Sequence, residues 1–402
     1  MRFWPWSRKS VALGDSEAVR RAILGGQQAK SGAAVTADTA LNVTAVLACA
    51  RVLGLGLAQV PFKMYRRDRT GVAAEERDHP LFAVMQRQAN AVQTAFELRE
   101  QIGLHLALTG NAFVLKLRNA PGQIVELQAL RPQAVTVLLE ASGAPAGYRY
   151  TSAGTQVVFP PSEIWHLRNT AWEMAVGLEP VAMAREAIGL GLATEEFAAR
   201  LFSNGARPGG ILSSDVNLKP EQYEWLRKSW DDMNTGSGNA MRTAILSGGL
   251  KWQSLSYTAD EAQFIEGRKF IVEEICRAFG VQPIMVMHND NQAAYASVEQ
   301  RYIAHYRDTL APLFRRVEMS ATVNLLTKAE QAEGLYFEHD ARGLLRGTAR
   351  ERAEFYALMT QNGFMTQNEV RAAENMAPFP DPAADAPRLA ANLFGPAPLA
   401  DE

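Results

Sequence analysis

Residues 217–280 read NLKPEQYEWLRKSWDDMNTGSGNAMRTAILSGGLKWQSLSYTADEAQFIEGRKFIVEEICRAFG, and this stretch decides the architecture. Pro220 suits the first turn of a helix, where its missing N–H has no partner to lose, and Glu221 sits at the favourable N-terminal end. Tyr223, Leu226, Trp230 and Met233 then recur at three- and four-residue spacing on one face. Asn234 to Asn239 is a polar, glycine-containing break. Thr243 to Leu246, Gly248-Gly249 and Leu250 to Leu255 predict a small hairpin. A second helix is predicted from about Thr258, with Phe264, Ile271, Ile275 and Ala278 on one face. Its other face carries Glu266, Lys269, Glu273 and Arg277 at spacings that allow ion pairing. The plan is helix, small β tip, helix.

Upstream, residues 1–38 mix charge, Gly, Ala and Ser without periodicity and predict a flexible arm. The first helical face is Val43, Val46, Leu47, Ala50, Leu53 and Leu57, ending before Pro61, with Gly54 and Gly56 loosening its last turns. FKMYRR (62–67) predicts a strand and HPLFAVMQRQAN (79–90) a helix. Thr94 stands where an N-cap belongs, before a helix stopping near Gly110. AFVLKLR and QIVELQAL flank Asn119-Ala120-Pro121-Gly122, a turn sequence, and YRYT and TQVVF flank Ala153-Gly154, so two hairpins are expected. A short strand at Ile164 to Leu167 and an Ala-rich helix from Glu179 to Phe202 complete this half.

Downstream, 283–297 reads as a loop holding His288-Asn289-Asp290-Asn291-Gln292. A long helix is expected over 298–326, kinked or split by Pro312. Helices at 348–361 and 366–375 precede a Pro/Ala-rich tail, expected to be disordered. The fold class is α+β, mainly helical.

Composition narrows function. Of the 402 residues, 41 are Lys or Arg and 43 Asp or Glu, a formal net charge of −2. That balance argues against a protein gripping nucleic acid through a broad basic face, which needs many contacts to phosphates. It leaves open a channel through which DNA slides. No secretory leader or long apolar run is evident, so a soluble protein of cytoplasmic origin is expected. Cys49 and Cys276 lie far apart in apolar helical contexts and are each expected to be a buried, reduced thiol. Gly54-Leu55-Gly56 lacks a third glycine and ends a helix, which rejects a dinucleotide fingerprint. No GxxxxGK[ST], CxxC or HExxH occurs, so neither an ATPase nor a zinc site is expected, and no catalytic residue or cofactor is assigned. His166, in an apolar strand, reads as a satisfied structural histidine. His339-Asp340 is a weak acid–base candidate, and Glu273-Glu274 reads as a salt-bridged face. Trp225 and Trp230 read as packing residues rather than base-stacking ones.

The order of segments resembles the portal proteins of tailed phages with long non-contractile tails, including the branch found in gene transfer agents. The residues carrying this are NVTAVLACARVLGLGLAQVPFKMYRR (42–67), HPLFAVMQRQAN, LTGNAFVLKLRNAPGQIVELQALRP (108–132) and EIWHLRN (163–169). They continue with VGLEPVAMAREAI (176–188), FSNGARPGGIL (202–212), EEICRAFGV (273–281), SVEQRYIAHYRDTLAPLFRRVE (297–318) and NGFMTQNEVR (362–371). Each is weak alone; their collinear order over most of the chain is strong. Two departures stand out: Gln282 before a single Pro283 where the family carries two prolines, and Ala294-Tyr295-Ala296-Ser297 where it carries Thr-Tyr-Ser-Asn.

The resemblance implies a ring, a dodecamer, with wing, stem, clip and crown regions around a tunnel for double-stranded DNA, at the portal vertex of a virion assembled in the host bacterial cytoplasm. It implies a wing at 39–216, stem helices at 217–236 and 258–282, a clip at 237–257 and a tunnel loop at 283–297. A long kinked helix returning to the wing at 298–347, crown helices at 348–376 and a tail at 377–402 follow. Asn289, Asp290, Asn291 and Gln292 are then the residues expected nearest DNA. Arg242, Lys251 and Trp252 fall at the clip, which meets the large terminase and later the head–tail adaptor; the major capsid protein surrounds the ring. The alternative is another ring component of a virion, an adaptor or minor capsid protein.

Overall fold

The computed structural model describes residues 28–172, 174–203, 210–214, 220, 223–225, 228, 250–254, 261–288, 295–341, 349–374 and 376–387. The chain divides into two units, residues 1–339 and 340–402.

In the first unit, helix α1 (Thr44–Gln59) packs along helix α2 (Ala95–Thr109). The buried face of α1 carries Val46, Cys49, Ala50, Leu53 and Leu57, while Leu47 points outward. Its glycines have a packing role: a Cβ added to Gly103 of α2 would lie 2.7 Å from the Gly54 Cα, and one on Gly56 would strike Leu310. Glycine there permits backbone contact between helices, at the propensity cost the sequence reading assigned to it. Helix α2 begins with a capping box, in which Thr94 Oγ1 accepts from Glu97 N while the Glu97 carboxylate accepts from Thr94 N. It ends at Gly110 in the left-handed conformation (φ 70°). Arg99 reaches across this layer, donating to the carbonyls of Met85 and Ala58, the latter among the open carbonyls at the end of α1.

Residues 28–38, expected as part of an arm, join this core. Ala29, Val35 and Ala37 are buried, and Gln28 bridges to Ala34. Helix α3 (Arg185–Ser203) and helix α4 (Glu261–Phe279) complete the cluster. On α4 the buried side chains are Ile271, Ile275, Cys276 and Phe279, whereas Ala278 is exposed.

Small antiparallel sheets surround these helices. Strand β1 (Phe62–Arg67) lies between β2 (Ala73–Glu75) and β11 (Leu335–His339), so the sheet joins residues some 270 positions apart in sequence. Strand β3 (Asn111–Arg118) lies between β4 (Ile124–Leu130) and β8 (Ile164–Arg168). The β3–β4 turn forms because Asn119 Oδ1 accepts from Gln123 N at 2.8 Å and Gly122 supplies a positive φ. Strands β5 (Val135–Leu139), β6 (Pro145–Ser152) and β7 (Thr155–Phe159) form a meander.

Helix α5 (Tyr295–His305), a π-helical turn (Tyr306–Leu310) and helix α6 (Ala311–Leu325) follow one another without a break. The proline predicted to kink or split this helix lies at its predicted place, and the π turn accommodates it. Pro312 has no N–H and its ring would press on the carbonyl one turn back. The turn before it widens instead, and Ala311 N–H donates to Tyr306 O, five residues earlier. Helix α6 packs between two sheets. Trp165 Nε1 of β8 donates to Ser320 Oγ, and the buried Lys116 of β3 donates to the Asn324 carbonyl at the C-terminal end of α6, where a cation suits the helix dipole.

On its other side α6 covers the edge of β11. Thr322 Oγ1 accepts from Phe337 N and Glu318 Oε1 from His339 N. Two residues four apart on a helix span about 6 Å, close to the roughly 6.8 Å between alternate strand residues, so one helix face answers successive outward amides. Such cover blunts an edge that would otherwise recruit another strand.

The second unit contains helices α7 (Ala349–Gln361) and α8 (Gln367–Ala373). Part of the expected tail is ordered here: Ala384 is buried, and Asn368 donates to Asp385 and to the Phe379 carbonyl.

Candidate functional site

The described segments on either side of residues 289–294 are firmly held. Gly280 (φ 65°) ends α4, Pro283–Val286 form a 3₁₀ turn, and Met287 is left-handed (φ 61°) and almost fully exposed. His288 Nε2 lies 3.6 Å from a Glu273 carboxylate oxygen on α4. On the far side α5 begins at Tyr295, so Tyr295-Ala296-Ser297, expected in the loop, are helical. Thr309 Oγ1 in the π turn donates to the Gly280 carbonyl at 2.6 Å, tying the long helix to the end of α4.

Asn289, Asp290, Asn291 and Gln292 themselves lie outside the described residues, as does Arg242. Lys251 and Trp252 lie on strand β10 (Leu250–Ser254), but its partner is strand β9 (Gly210–Ser214). Lys251 is opposite Ser213 and Trp252 opposite Leu212. Thr243 to Leu246, the partner expected from sequence, lie outside the described residues. Neighbouring strands in sequence are the default hairpin reading; here the pairing reaches back before the 217–236 segment. Of that segment, Pro220, Tyr223–Trp225 and Lys228 are described and are helical, and Tyr223 and Trp225 are exposed.

The acid–base candidates resolve into structural roles. The His339 ring is buried, stacked on Phe314 and tilted against Phe62 at centroid distances of 4.4 Å. Its Nδ1 donates to Glu318 Oε1 at 3.0 Å. Burial pushes the Glu318 carboxyl up, but the His339 ring and backbone N–H, with Arg315, outweigh it and hold the group below the usual carboxylate range. Among the described residues no group of three or more His, Cys, Asp or Glu side chains is placed to hold a metal ion. No described helix is long and apolar enough to cross a membrane.

His166 is the satisfied histidine its strand context predicts. Nε2 faces Asn111 Oδ1 at 3.1 Å and Nδ1 faces the Tyr148 hydroxyl at 3.3 Å, and the ring stacks on Phe113. Asn111 Oδ1 also accepts from Gly177 N, so it serves as acceptor and the ring carries its proton on Nε2. Burial, with Arg168 nearby, lowers the His166 pKa to about 3, and burial lowers that of His105 to about 4. The unfolded chain takes up protons at these histidines near pH 6.5. Stability is therefore intact above that pH and is lost as pH falls from about 6.5 toward the folded values. From His166 alone the loss by pH 5 is about 2 kcal/mol. Urea unfolding at pH 7 and pH 5 measures it, and His166→Gln is expected to shrink the difference; an unchanged difference would remove His166 from the account.

The described architecture is an α+β body, with strand β10 and helix α4 following one another in sequence. The model of the family described as phage portal protein matches residues 44–375. The chain belongs to the phage portal protein family. It is 32% identical to a probable portal protein of Streptomyces phage phiC31, over 92% of this chain and 82% of that one. It is 29% identical to the portal protein of Enterobacteria phage HK97, over 85% of this chain and 80% of that one. A chain in the neck of a native gene transfer agent particle, determined with C12 symmetry, superposes with a TM-score of 0.56 at 26% identity, covering 89% of this chain and 99% of that one. The portal resemblance read from the segment order is thereby established, and the alternative of an adaptor or minor capsid protein falls.

Proposed function

We propose that this chain closes into a twelve-membered ring at one vertex of a phage-like capsid and lines the channel through which double-stranded DNA is packaged and later ejected. The observation that carries the reading is the portal family match over residues 44–375, joined to a relative seated in a particle neck with C12 symmetry. On this reading 217–236 and 258–282 are the stem, 237–257 the clip, 283–297 the tunnel loop and 348–376 the crown. The clip docks the large terminase during packaging and the head–tail adaptor afterwards, and the major capsid protein surrounds the wing. Assembly takes place in the host cytoplasm.

A net charge of −2 suits a conduit. Each Lys or Arg contact to phosphate adds to a steep, salt-dependent affinity, and a wall rich in such contacts would hold the duplex rather than pass it. The chain has no phosphate-cradling nucleotide motif, so on this reading the work of translocation falls to a separate motor.

Electron microscopy of the purified protein tests the ring. Closed rings with a central hole wide enough for a duplex are expected, and monomers under all conditions would overturn the reading. Replacing residues 289–292 by a Gly-Ser linker is expected to leave rings intact while DNA packaging or retention falls. Unchanged packaging would remove that loop from the channel.

A further inference from the structure

Cys49 on α1 and Cys276 on α4 are 227 positions apart in sequence, yet their sulfurs lie 3.8 Å apart. Both side chains are buried, at 0% and 1% exposure, within the apolar cluster of Val46, Ala50, Leu53, Ile275 and Phe279. A small cavity of about 50 Å³ between α1, α3 and α4 is lined by Ala45, one turn before Cys49, and by Ile275, next to Cys276. It has room for a molecule little larger than water.

We propose that Cys49 and Cys276 are a redox-active dithiol that a small neutral peroxide converts to a disulfide, joining α1 to α4 within one subunit. A disulfide forms at an S–S distance of about 2.05 Å, so the sulfurs approach by about 1.8 Å. Cys276 is the first nucleophile. Either sulfur can donate in this contact; with Cys49 as the donor the bond lowers the Cys276 pKa, while that bond and burial push Cys49 up and keep it protonated. The Cys276 thiolate attacks one oxygen of hydrogen peroxide; an S–O bond forms, the O–O bond breaks, and hydroxide leaves to be protonated to water. Cys49 sulfur then attacks the sulfenic sulfur; the S–S bond forms, the S–O bond breaks, and the Cys49 proton leaves with the hydroxyl as a second water. Two thiols lose two electrons and one peroxide gains them. The resulting bond spans a long loop and removes freedom chiefly from the unfolded chain.

The test uses the intact protein, treated with hydrogen peroxide, quenched with N-ethylmaleimide in acid, unfolded and digested. The expected result is loss of both free thiols, a peptide pair joining Cys49 to Cys276 within one chain, its reversal by dithiothreitol, and a melting temperature several degrees higher. In Cys49→Ser, whose hydroxyl can still donate to Cys276 but cannot form the disulfide, the reaction is expected to stop at a Cys276 sulfenic acid trapped by dimedone. The wild-type peptide map needs no variant to fold. Two alkylatable thiols per chain after treatment, direct passage to sulfinic acid, or links only between chains would each overturn the proposal.

Discussion

Replacing Gly110 by alanine is expected to cost the fold more than about 4 kcal/mol, enough to strip most of the soluble protein from an expression culture. Two effects add. Gly110 ends α2 with φ 70°, a conformation that charges an L side chain about 1 kcal/mol. The larger effect is steric, because an added Cβ would fall onto the Leu178 carbonyl, which is backbone and cannot rotate away. The same spot is tight from the other side: the Gly110 carbonyl accepts from Asn169 N at 2.8 Å, and a Cβ on Gly177 would overlap it. Gly122 supplies the control. Its φ is 87° but nothing lies within 4 Å of its Cβ position, so Gly122→Ala is expected to cost only about 1 kcal/mol. Urea unfolding of both variants measures the contrast, and equal midpoints would mean that the loop at 169–178 does not press on the helix end.

Glu318→Ala is expected to cost about 3–5 kcal/mol, the sum of two buried donors left without an acceptor at about 1–3 kcal/mol each. One carboxylate oxygen, Oε1, accepts both the backbone N–H and the ring Nδ1–H of His339, at 2.9 and 3.0 Å. Removing it leaves two buried donors unanswered between Phe62 and Phe314, and the β11 edge loses half of its cover. Glu318→Gln retains an acceptor in nearly the same place and is expected to lose about 1–2 kcal/mol, chiefly the charge-assisted part. Thermal unfolding of the two variants separates acceptor from charge. If glutamine proves as damaging as alanine, the negative charge rather than the hydrogen-bond geometry holds the strand.

What could be read from sequence was local. The Thr94 cap, the Gly110 stop, the Asn119–Gly122 turn and the irregularity before Pro312 each depend on residues within one or two turns of chain. What could not be read was long-range pairing. Nothing in FKMYRR announces LYFEH, some 270 residues later, as its neighbour, and Gly54 reads as a weak helix residue until Gly103 is seen against it. Cys49 and Cys276 were legible as buried but not as adjacent. For residues 250–254 the strand was legible, but its pairing with Gly210–Ser214, on the far side of the 217–236 segment, was not. Of the candidate site, what the structure adds is its frame: the His288–Glu273 pair, the 3₁₀ turn and the Thr309–Gly280 bond.

The π turn before Pro312 also has a mechanical meaning. From Tyr295 to Leu325 the chain is a single rod, about 46 Å long at 1.5 Å per residue. One end emerges from the polar segment at 289–294, and the other is clamped between two sheets by Glu318, Ser320, Thr322 and Asn324. The turn with the widest hydrogen-bond spacing lies between these two ends, and the Thr309–Gly280 bond braces it against α4. Bending of this rod therefore concentrates at the braced turn rather than within α5 or α6.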